Sequence, residues 1–151
     1  MTIGKMVTEL VGFMDEEPDN PYSLVIGTDS KSQKLNGEIT ISFVTAVVIH
    51  RKGKGGRYFW QKNKKGKIKT LRDKIYTETL LSLDLAQELV PQLKTKIDGS
   101  RYNLEIHIDV GQNGPTREMI KEVVGIVNGN GFTAKTKPES YGAFVVADKH
   151  T

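Results

Sequence analysis

The sequence predicts an α/β fold in which helices pack on a mixed β-sheet. Three strand-like segments come first, separated by short glycine-containing turns, as expected of hairpin-linked antiparallel strands. Two further strand-like segments then alternate with helical segments, and crossovers of this kind join parallel strands. With 151 residues, the chain has the usual length of one domain. We therefore expect a single five-stranded domain with helices on the faces of its sheet.

The first half of the chain is predicted to form one helix and three strands. Apolar residues near the N-terminus recur at the three- and four-residue spacing of a helix. Asn36-Gly37 is the strongest short hairpin signal in the chain, and a second glycine-rich turn follows at "RKGKGG". The expected elements are a helix at 3–14 and strands at 23–29, 39–50 and 57–61.

The second half is predicted to alternate helices and strands after a lysine-rich loop at 61–69. Pro115 is well placed for the first turn of a helix, and "NGNG" ends that helix. The expected elements are helices at 71–93, at 115–127 and from Pro138 onwards, and strands at 102–110 and 131–137.

Composition excludes several classes of protein. Hydrophobic residues make up 37% of the chain, and no apolar run approaches the roughly 18 residues that span a bilayer. The N-terminus lacks the apolar core of a signal peptide. Cysteine is absent, which excludes disulfides, cysteine-ligated zinc and thiol catalysis. We therefore expect a soluble, cytoplasmic protein.

Positive charge is concentrated in one segment. Residues 51–74 hold eleven Lys or Arg and a single acid, Asp73, whereas the whole chain has a net charge of +4. Such a segment can neutralise several phosphates and would make nucleic-acid binding depend on salt. The alternative is a solvated basic loop with no partner. The candidate nucleic-acid contacts are Lys62, Lys64, Lys65, Lys67, Lys69 and Arg72.

Two aspartates close otherwise apolar strand-like segments. Asp29 lies in "VIGTDSKS" and Asp109 lies in "HIDVG". Burying an unpaired carboxylate costs several kcal/mol or shifts its pKa strongly, so this arrangement needs a reason. Both residues lie near the C-terminal ends of strands expected to be parallel neighbours, where α/β sheets place their sites.

A third acid, Glu78, lies on the predicted buried stripe of the long helix. Either a buried salt bridge or a position at the edge of the stripe would also explain it. Together with Asp29 and Asp109, it forms a set of hard oxygen ligands of the kind that suits Mg²⁺ or Mn²⁺. The stripe consists of Leu71, Ile75, Glu78, Ser82, Leu85 and Leu89.

These motifs resemble a known family. "FVTAVVIHRKGKGG", "LRDKIYTETLLS", "HIDVGQNGPTRE" and "KPESYGAFVVADKHT" are similar to the uncharacterised bacterial YkuK-type family of the ribonuclease H-like superfamily. The resemblance covers about residues 22–151. It implies a sheet in the order 3-2-1-4-5 with helices on both faces. It also implies that Asp29, Glu78 and Asp109 bind two Mg²⁺ or Mn²⁺ ions, with Asp29 bridging them.

The resemblance leaves the fourth acid open. Superfamily members carry it on the helix after the fifth strand, where this chain offers Glu139 and Asp148. Glu139 lies at the expected first turn of that helix, near the strand ends, and geometry favours it. Asp148 lies about 13 Å further along a continuous helix, and an extended "KPESYG" segment would favour it. A third reading assigns neither residue.

The resemblance implies a metal-dependent nuclease acting on RNA, RNA–DNA hybrid or structured DNA. The same scaffold serves several functions, so a non-catalytic nucleic-acid-binding module is the alternative. A nucleotide-binding phosphotransferase is a third candidate, although the chain offers no clear phosphate-binding glycine loop. His107 is expected on the same strand face as Asp109, either as a structural histidine or as an acid/base group.

Overall fold

The computed structural model describes residues 1–65, 70–111 and 114–137. Short 3₁₀ turns at Gly99–Arg101 and Arg117–Met119 precede the fourth strand and the third helix. In chain order the elements are α1 (Ile3–Glu16), β1 (Tyr22–Leu35), β2 (Glu38–Arg51), β3 (Gly56–Lys65), α2 (Leu71–Lys94), β4 (Tyr102–His107), α3 (Ile120–Gly129) and β5 (Thr133–Lys135).

The five strands form one mixed sheet in the order β3-β2-β1-β4-β5, which confirms the predicted fold class and strand order. Strand β2 pairs antiparallel with β1 and β3, whereas β4 pairs parallel with β1 and β5. Strand β1 is therefore central: it joins the antiparallel half of the sheet to the parallel half.

The β1–β2 hairpin extends beyond the parallel half of the sheet. Strand β1 pairs with β2 along its whole length but with β4 only over residues 22–27. The two strands meet at Asn36-Gly37, whose φ angles of 51° and 81° fit the two-residue turn that the sequence predicts. The far part of this hairpin, residues 33–40, forms a two-stranded ribbon that runs past the ends of β3 and β4.

All three described helices pack on one face of the sheet, whereas the resemblance implied helices on both faces; within the described residues the second face carries none. Alternate residues of β1 and β4, including Leu24, Ile26 and Ile106, enter a single apolar core with side chains from α1, α2 and α3. Thr2 is the N-cap of α1 and Thr70 is the N-cap of α2. The hydroxyl of each accepts a hydrogen bond from the backbone N–H three residues later. The helix predicted from Pro138 onwards lies outside the described residues. Within the described residues, no helix is long and apolar enough to cross a membrane.

Several predicted boundaries were wrong, because strand pairing depends on distant residues. Strand β3 continues to Lys65, opposite Ile41, so the loop expected from residue 61 is a strand up to that point. Strand β1 likewise runs to Leu35, six residues beyond its predicted end at residue 29. Strand β5 is shorter than predicted, and α3 begins at Ile120 after a 3₁₀ turn rather than at Pro115.

One member of the predicted buried stripe is also wrong. Leu71 is 42% exposed, because it is the first residue of α2 and lies beyond the edge of the core. The rest of the stripe is buried as predicted, including Glu78 and Ser82.

Arg51, the last residue of β2, ties α1 to the sheet. Its guanidinium donates to the carbonyl oxygen of Phe13 at 2.6 Å and to the hydroxyl of Tyr22 at 3.1 Å. It also forms an ion pair with Glu17 at 3.1 Å and lies 4.0 Å from the centre of the Phe13 ring. The planar guanidinium meets these partners simultaneously, which a lysine cannot do.

Candidate functional site

The parallel pairing of β1 and β4 brings Asp29 and Asp109 together. The last residues that pair are Gly27 and His107, and each aspartate follows two residues later. Pairing with β5 also continues beyond the end of β4, since the backbone N–H of Ile108 donates a hydrogen bond to the backbone carbonyl oxygen of Lys135 at 2.9 Å. The two half-buried aspartates are thus neighbours at the C-terminal ends of adjacent strands, as the sequence predicts.

The pleat of β1 decides which way Asp29 points. The hydroxyls of Thr28 and Ser30 both meet side chains of α2, so both residues face the helices. Asp29 lies between them and therefore points to the opposite face of the sheet. We call this surface the acid face; it also carries Asp109.

Glu78 reaches the same end of β1 from the helix side. Its carboxylate is 3% exposed, and Oε2 accepts a hydrogen bond from the hydroxyl of Ser30 at 2.7 Å. The other oxygen, Oε1, is buried and has no hydrogen-bond partner within the described part of the chain. Buried polar atoms are nearly always paired, so an oxygen left in this state needs a specific explanation.

Burial and neighbouring charges raise the pKa of Glu78 to about 7. Burial is the largest cause, and the negative charges of Asp29 and Asp109 raise the pKa further. The hydrogen bond from Ser30 and the positive charge of Lys74 oppose this shift. The three acids are therefore close enough to destabilise one another when all are ionised.

A row of hydroxyls lies beneath Glu78 and fixes α2 against the sheet. Thr28 Oγ1 lies 2.7 Å from Ser82 Oγ and 2.9 Å from Thr45 Oγ1, and all three residues are buried. Ser82 lies one helical turn after Glu78 on α2. Thr28 lies two residues before Ser30, on the same face of β1. The end of α2 that carries the acid is thus held to β1 by hydrogen bonds as well as by apolar packing.

Asp109 forms an ion pair with a lysine side chain of the same protein. Lys137, two residues beyond β5, places its ammonium nitrogen 2.5 Å from a carboxylate oxygen of Asp109. The lysine side chain is 57% exposed and the aspartate 27%, so this ion pair lies at the surface. Sequence reasoning missed Lys137; its only signal is that it is the last residue of the strand predicted at 131–137.

His107 is buried on the acid face beneath the two aspartates. Its Nε2 atom lies 3.3 Å from a carboxylate oxygen of Glu105, whereas Nδ1 is buried with no hydrogen-bond partner in the described residues. Burial is the main cause that lowers the pKa of the imidazole. The histidine is therefore only half satisfied, which leaves both sequence-based interpretations open.

The donor atoms fit a divalent cation in their chemistry, but they do not form a closed cage. Across the described residues, no group of three or more His, Cys, Asp or Glu side chains is close enough to hold a metal ion. The physical reason is the pleat of β1, since Asp29 points to the acid face while Glu78 arrives from the helix side. The unpaired oxygen of Glu78 and the neighbouring aspartates nevertheless supply the hard oxygen ligands that Mg²⁺ and Mn²⁺ prefer.

The remaining predicted site residues lie in different places. Lys62 is exposed on β3, and Lys64 and Lys65 are backbone positions of the same strand. Arg72 pairs with Glu122 of α3 at 2.7 Å, so it joins two helices. Four further predicted site residues lie outside the described residues: Lys67, Lys69, Glu139 and Asp148.

Comparisons with known proteins agree with the fold class. The family model described as Ribonuclease H-like matches residues 5–151. The chain is 32% identical to the uncharacterized protein YkuK of Bacillus subtilis (strain 168) over an alignment of 161 residues, which covers 100% of this chain and 91% of that protein. No solved structure matches the chain. The family match and the shared sheet topology together show that this chain belongs to the ribonuclease H-like family.

Proposed function

We propose that this protein is a metal-dependent nuclease that hydrolyses phosphodiester bonds in RNA, RNA–DNA hybrid or structured DNA. The observation that carries the proposal is the state of Glu78, a buried carboxylate with one unpaired oxygen and two aspartates nearby. A buried acid in this state weakens the fold, and a bound cation removes that cost. Membership of the ribonuclease H-like family supports the same type of site.

Asp29, Glu78 and Asp109 would hold the ions, two Mg²⁺ or two Mn²⁺. When bound, such ions supply an activated water and neutralise charge on the phosphate. Ser30 keeps the Glu78 carboxylate oriented, and the hydroxyls of Thr28 and Ser82 hold the helix that carries it. A fourth acid, Glu139 or Asp148, would complete the ligand set.

The lysines of the basic segment would bind the nucleic-acid backbone. Lys62 is exposed on the edge strand β3, and the segment continues from there through Lys64, Lys65, Lys67 and Lys69. Contacts with phosphates fix the position of a substrate without reading its sequence. Binding is therefore expected to weaken steeply as salt rises.

The test compares cleavage by the wild type with cleavage by Asp29→Asn, Glu78→Gln and Asp109→Asn. Labelled single-stranded RNA, RNA–DNA hybrid and a DNA junction serve as substrates, each in Mg²⁺, Mn²⁺ and chelator. We expect cleavage that needs a metal and falls by about 100-fold or more in each variant.

The matched control is Asp84→Asn, which removes an exposed carboxylate from the same helix as Glu78. It should cleave like the wild type. Activity that survives in Asp29→Asn or in chelator comes from a contaminant or from another site, and it would contradict the proposal.

A non-catalytic nucleic-acid-binding module is the second candidate. It is favoured by the spacing of the acids, since Asp29 and Glu78 lie on opposite sides of β1, and by the lysine already paired with Asp109. This candidate predicts salt-dependent binding that survives Glu78→Gln, with no cleavage under any condition.

A further inference from the structure

One row of residues crosses the acid face at right angles to the strands. Pairing places Lys62 of β3 opposite Val44 of β2, and Val44 opposite Asp29 of β1. Residues that pair in this way share a face of the sheet. Asp109 lies beside Asp29, and Lys137 is its ion-pair partner. We call this set the acid row: Lys62, Val44, Asp29, Asp109 and Lys137.

The acid row places a cation on each side of two acids. Neighbouring strands lie about 4.8 Å apart, so Lys62 is about 10 Å from Asp29 and the whole row spans about 19 Å. Both lysine side chains are exposed, whereas the spacer between Lys62 and Asp29 is the buried, apolar Val44. A polyanion that approaches the aspartates thus meets positive charge on either side of them.

The extended part of the β1–β2 hairpin lies beside the acid row. Strand β4 ends at His107, but β1 and β2 continue beyond it for several residues. The two aspartates therefore lie in a corner between the strand ends and this part of the hairpin. Lys31 is exposed on β1 and lies two residues beyond Asp29, so it faces the same corner.

We propose that Lys62 and Lys137 bind phosphates of one nucleic-acid strand on opposite sides of the acidic pair. This inference rests on the proposed function, because it takes nucleic acid to be the substrate. The backbone then runs across the strands of the sheet, with the phosphate to be cleaved beside Asp29 and Asp109. A strand of about six stacked nucleotides, at about 3.4 Å each, covers the 19 Å of the row.

The ion pair between Lys137 and Asp109 is compatible with this role. A pair this exposed is weak, and its lysine exchanges readily between partners. A phosphate of the substrate can therefore replace Asp109 as the partner of the lysine, with or without a bound metal ion. Lys137 is thus a positioning residue for the substrate.

The test measures how binding depends on salt. A fluorescent single-stranded oligonucleotide of ten nucleotides is titrated in chelator, where no metal-dependent cleavage occurs, and anisotropy gives Kd at several salt concentrations. Plotted against the logarithm of the salt concentration, the logarithm of the binding constant falls in a straight line. For a single strand, each lost phosphate contact makes that line less steep by about 0.7. We expect that decrease for Lys62→Gln and for Lys137→Gln, and about 1.4 for the double variant.

Two controls separate phosphate contact from indirect effects. Lys121→Gln removes an exposed lysine of α3, on the helix side of the sheet, and should keep the slope of the wild type. Lys137→Gln in the background of Asp109→Asn should still make the slope less steep by about 0.7, whereas an effect caused only by freeing the Asp109 carboxylate would disappear in that background. Thermal melts establish that every variant is folded.

The outcomes distinguish this inference from the proposed function. If the wild type cleaves but both lysine variants keep its slope, the phosphate contacts are refuted and the nuclease stands. If the slopes fall as expected but the wild type cleaves nothing in Mg²⁺ or Mn²⁺, the contacts stand and the binding module replaces the nuclease. If the wild type does not bind the oligonucleotide, the phosphate contacts are refuted, and the cleavage assay alone decides on the nuclease.

Discussion

The buried carboxylate of Glu78 lowers the stability of the folded protein. Burial, with help from Asp29 and Asp109, raises its pKa to about 7, so the folded protein holds this proton more tightly than the unfolded chain does. A glutamine of the same shape would lack the charge and the cost that comes with it. A residue that weakens the fold in this way is typical of a functional site.

The first prediction concerns the pH dependence of stability in chelator. Between pH 4.5, the usual value for glutamate, and about pH 7, folded Glu78 binds a proton that the unfolded chain has lost. The free energy of unfolding should therefore fall as pH rises through this window, by about 3 kcal/mol from this group. Glu78→Gln should lose that part of the dependence and exceed the wild type in stability at pH 8.

Urea denaturation between pH 4 and pH 8 provides the measurement. Glu88→Gln, at an exposed position of the same helix, is the control and should keep the profile of the wild type. Parallel profiles for the wild type and Glu78→Gln would show that burial does not strain this carboxylate.

At the residue scale the sequence predicted the acids better than their surroundings. Asp29, Asp109 and Glu78 each break an apolar pattern, and that anomaly is visible without any structure. Lys137 breaks no pattern, because a lysine after a strand is ordinary. Its contact with Asp109 depends on the register between two strands, which one sequence does not reveal.

At the scale of elements, Arg51 of the sheet adds polar contacts with α1 to the apolar packing of that helix. Arg51 is 11% exposed and contacts Phe13, Tyr22 and Glu17 simultaneously. Arg57 lies near the same helix but is 49% exposed, and its ion pairs with glutamates of α1 are 3.7 and 4.0 Å long. The two arginines therefore form a natural comparison between a buried and an exposed contact.

The second prediction follows from that comparison. Arg51→Lys should lower the melting temperature by several degrees, since the lysine loses the fork of hydrogen bonds and the ring contact. Arg57→Lys should shift it by no more than about one degree, because exposed ion pairs contribute little. Calorimetry of the two variants tests this, and equal shifts would contradict the assigned role of Arg51.

Helices α1 and α2 were predicted more accurately than strands β1 and β3 for a physical reason. A helix is fixed by hydrogen bonds within the segment, so the caps and spacing of α2 set its ends almost correctly. A strand ends where its partner ends, and the extension of β3 to Lys65 depends on pairing with residues 18 to 24 positions away. The split of Asp29 and Glu78 between two sides of β1 is likewise a consequence of pairing and pleat.

At the scale of the whole molecule, a ligand that binds only the folded state adds to global stability. The third prediction is that Mn²⁺ or Mg²⁺ at about 100 times Kd raises the free energy of unfolding at pH 8 by about 2.7 kcal/mol. Asp29→Asn should lose most of this gain, and Asp84→Asn should keep it. Urea denaturation with and without metal gives the answer, and an equal gain in all three proteins would mean that the metal binds elsewhere.

The two halves of the sheet join in β1, and this has a consequence for how the molecule folds. The β1–β2 hairpin closes over a two-residue turn, whereas Asp109 lies eighty residues after Asp29 in the chain. Long-range parallel pairing is slow, because the entropy of closing a large loop is lost before any contact repays it. A nascent chain can therefore form its hairpin well before it has an acidic pair. The acidic pair comes into existence only when β4 pairs with β1, so a partly folded protein lacks the proposed metal site.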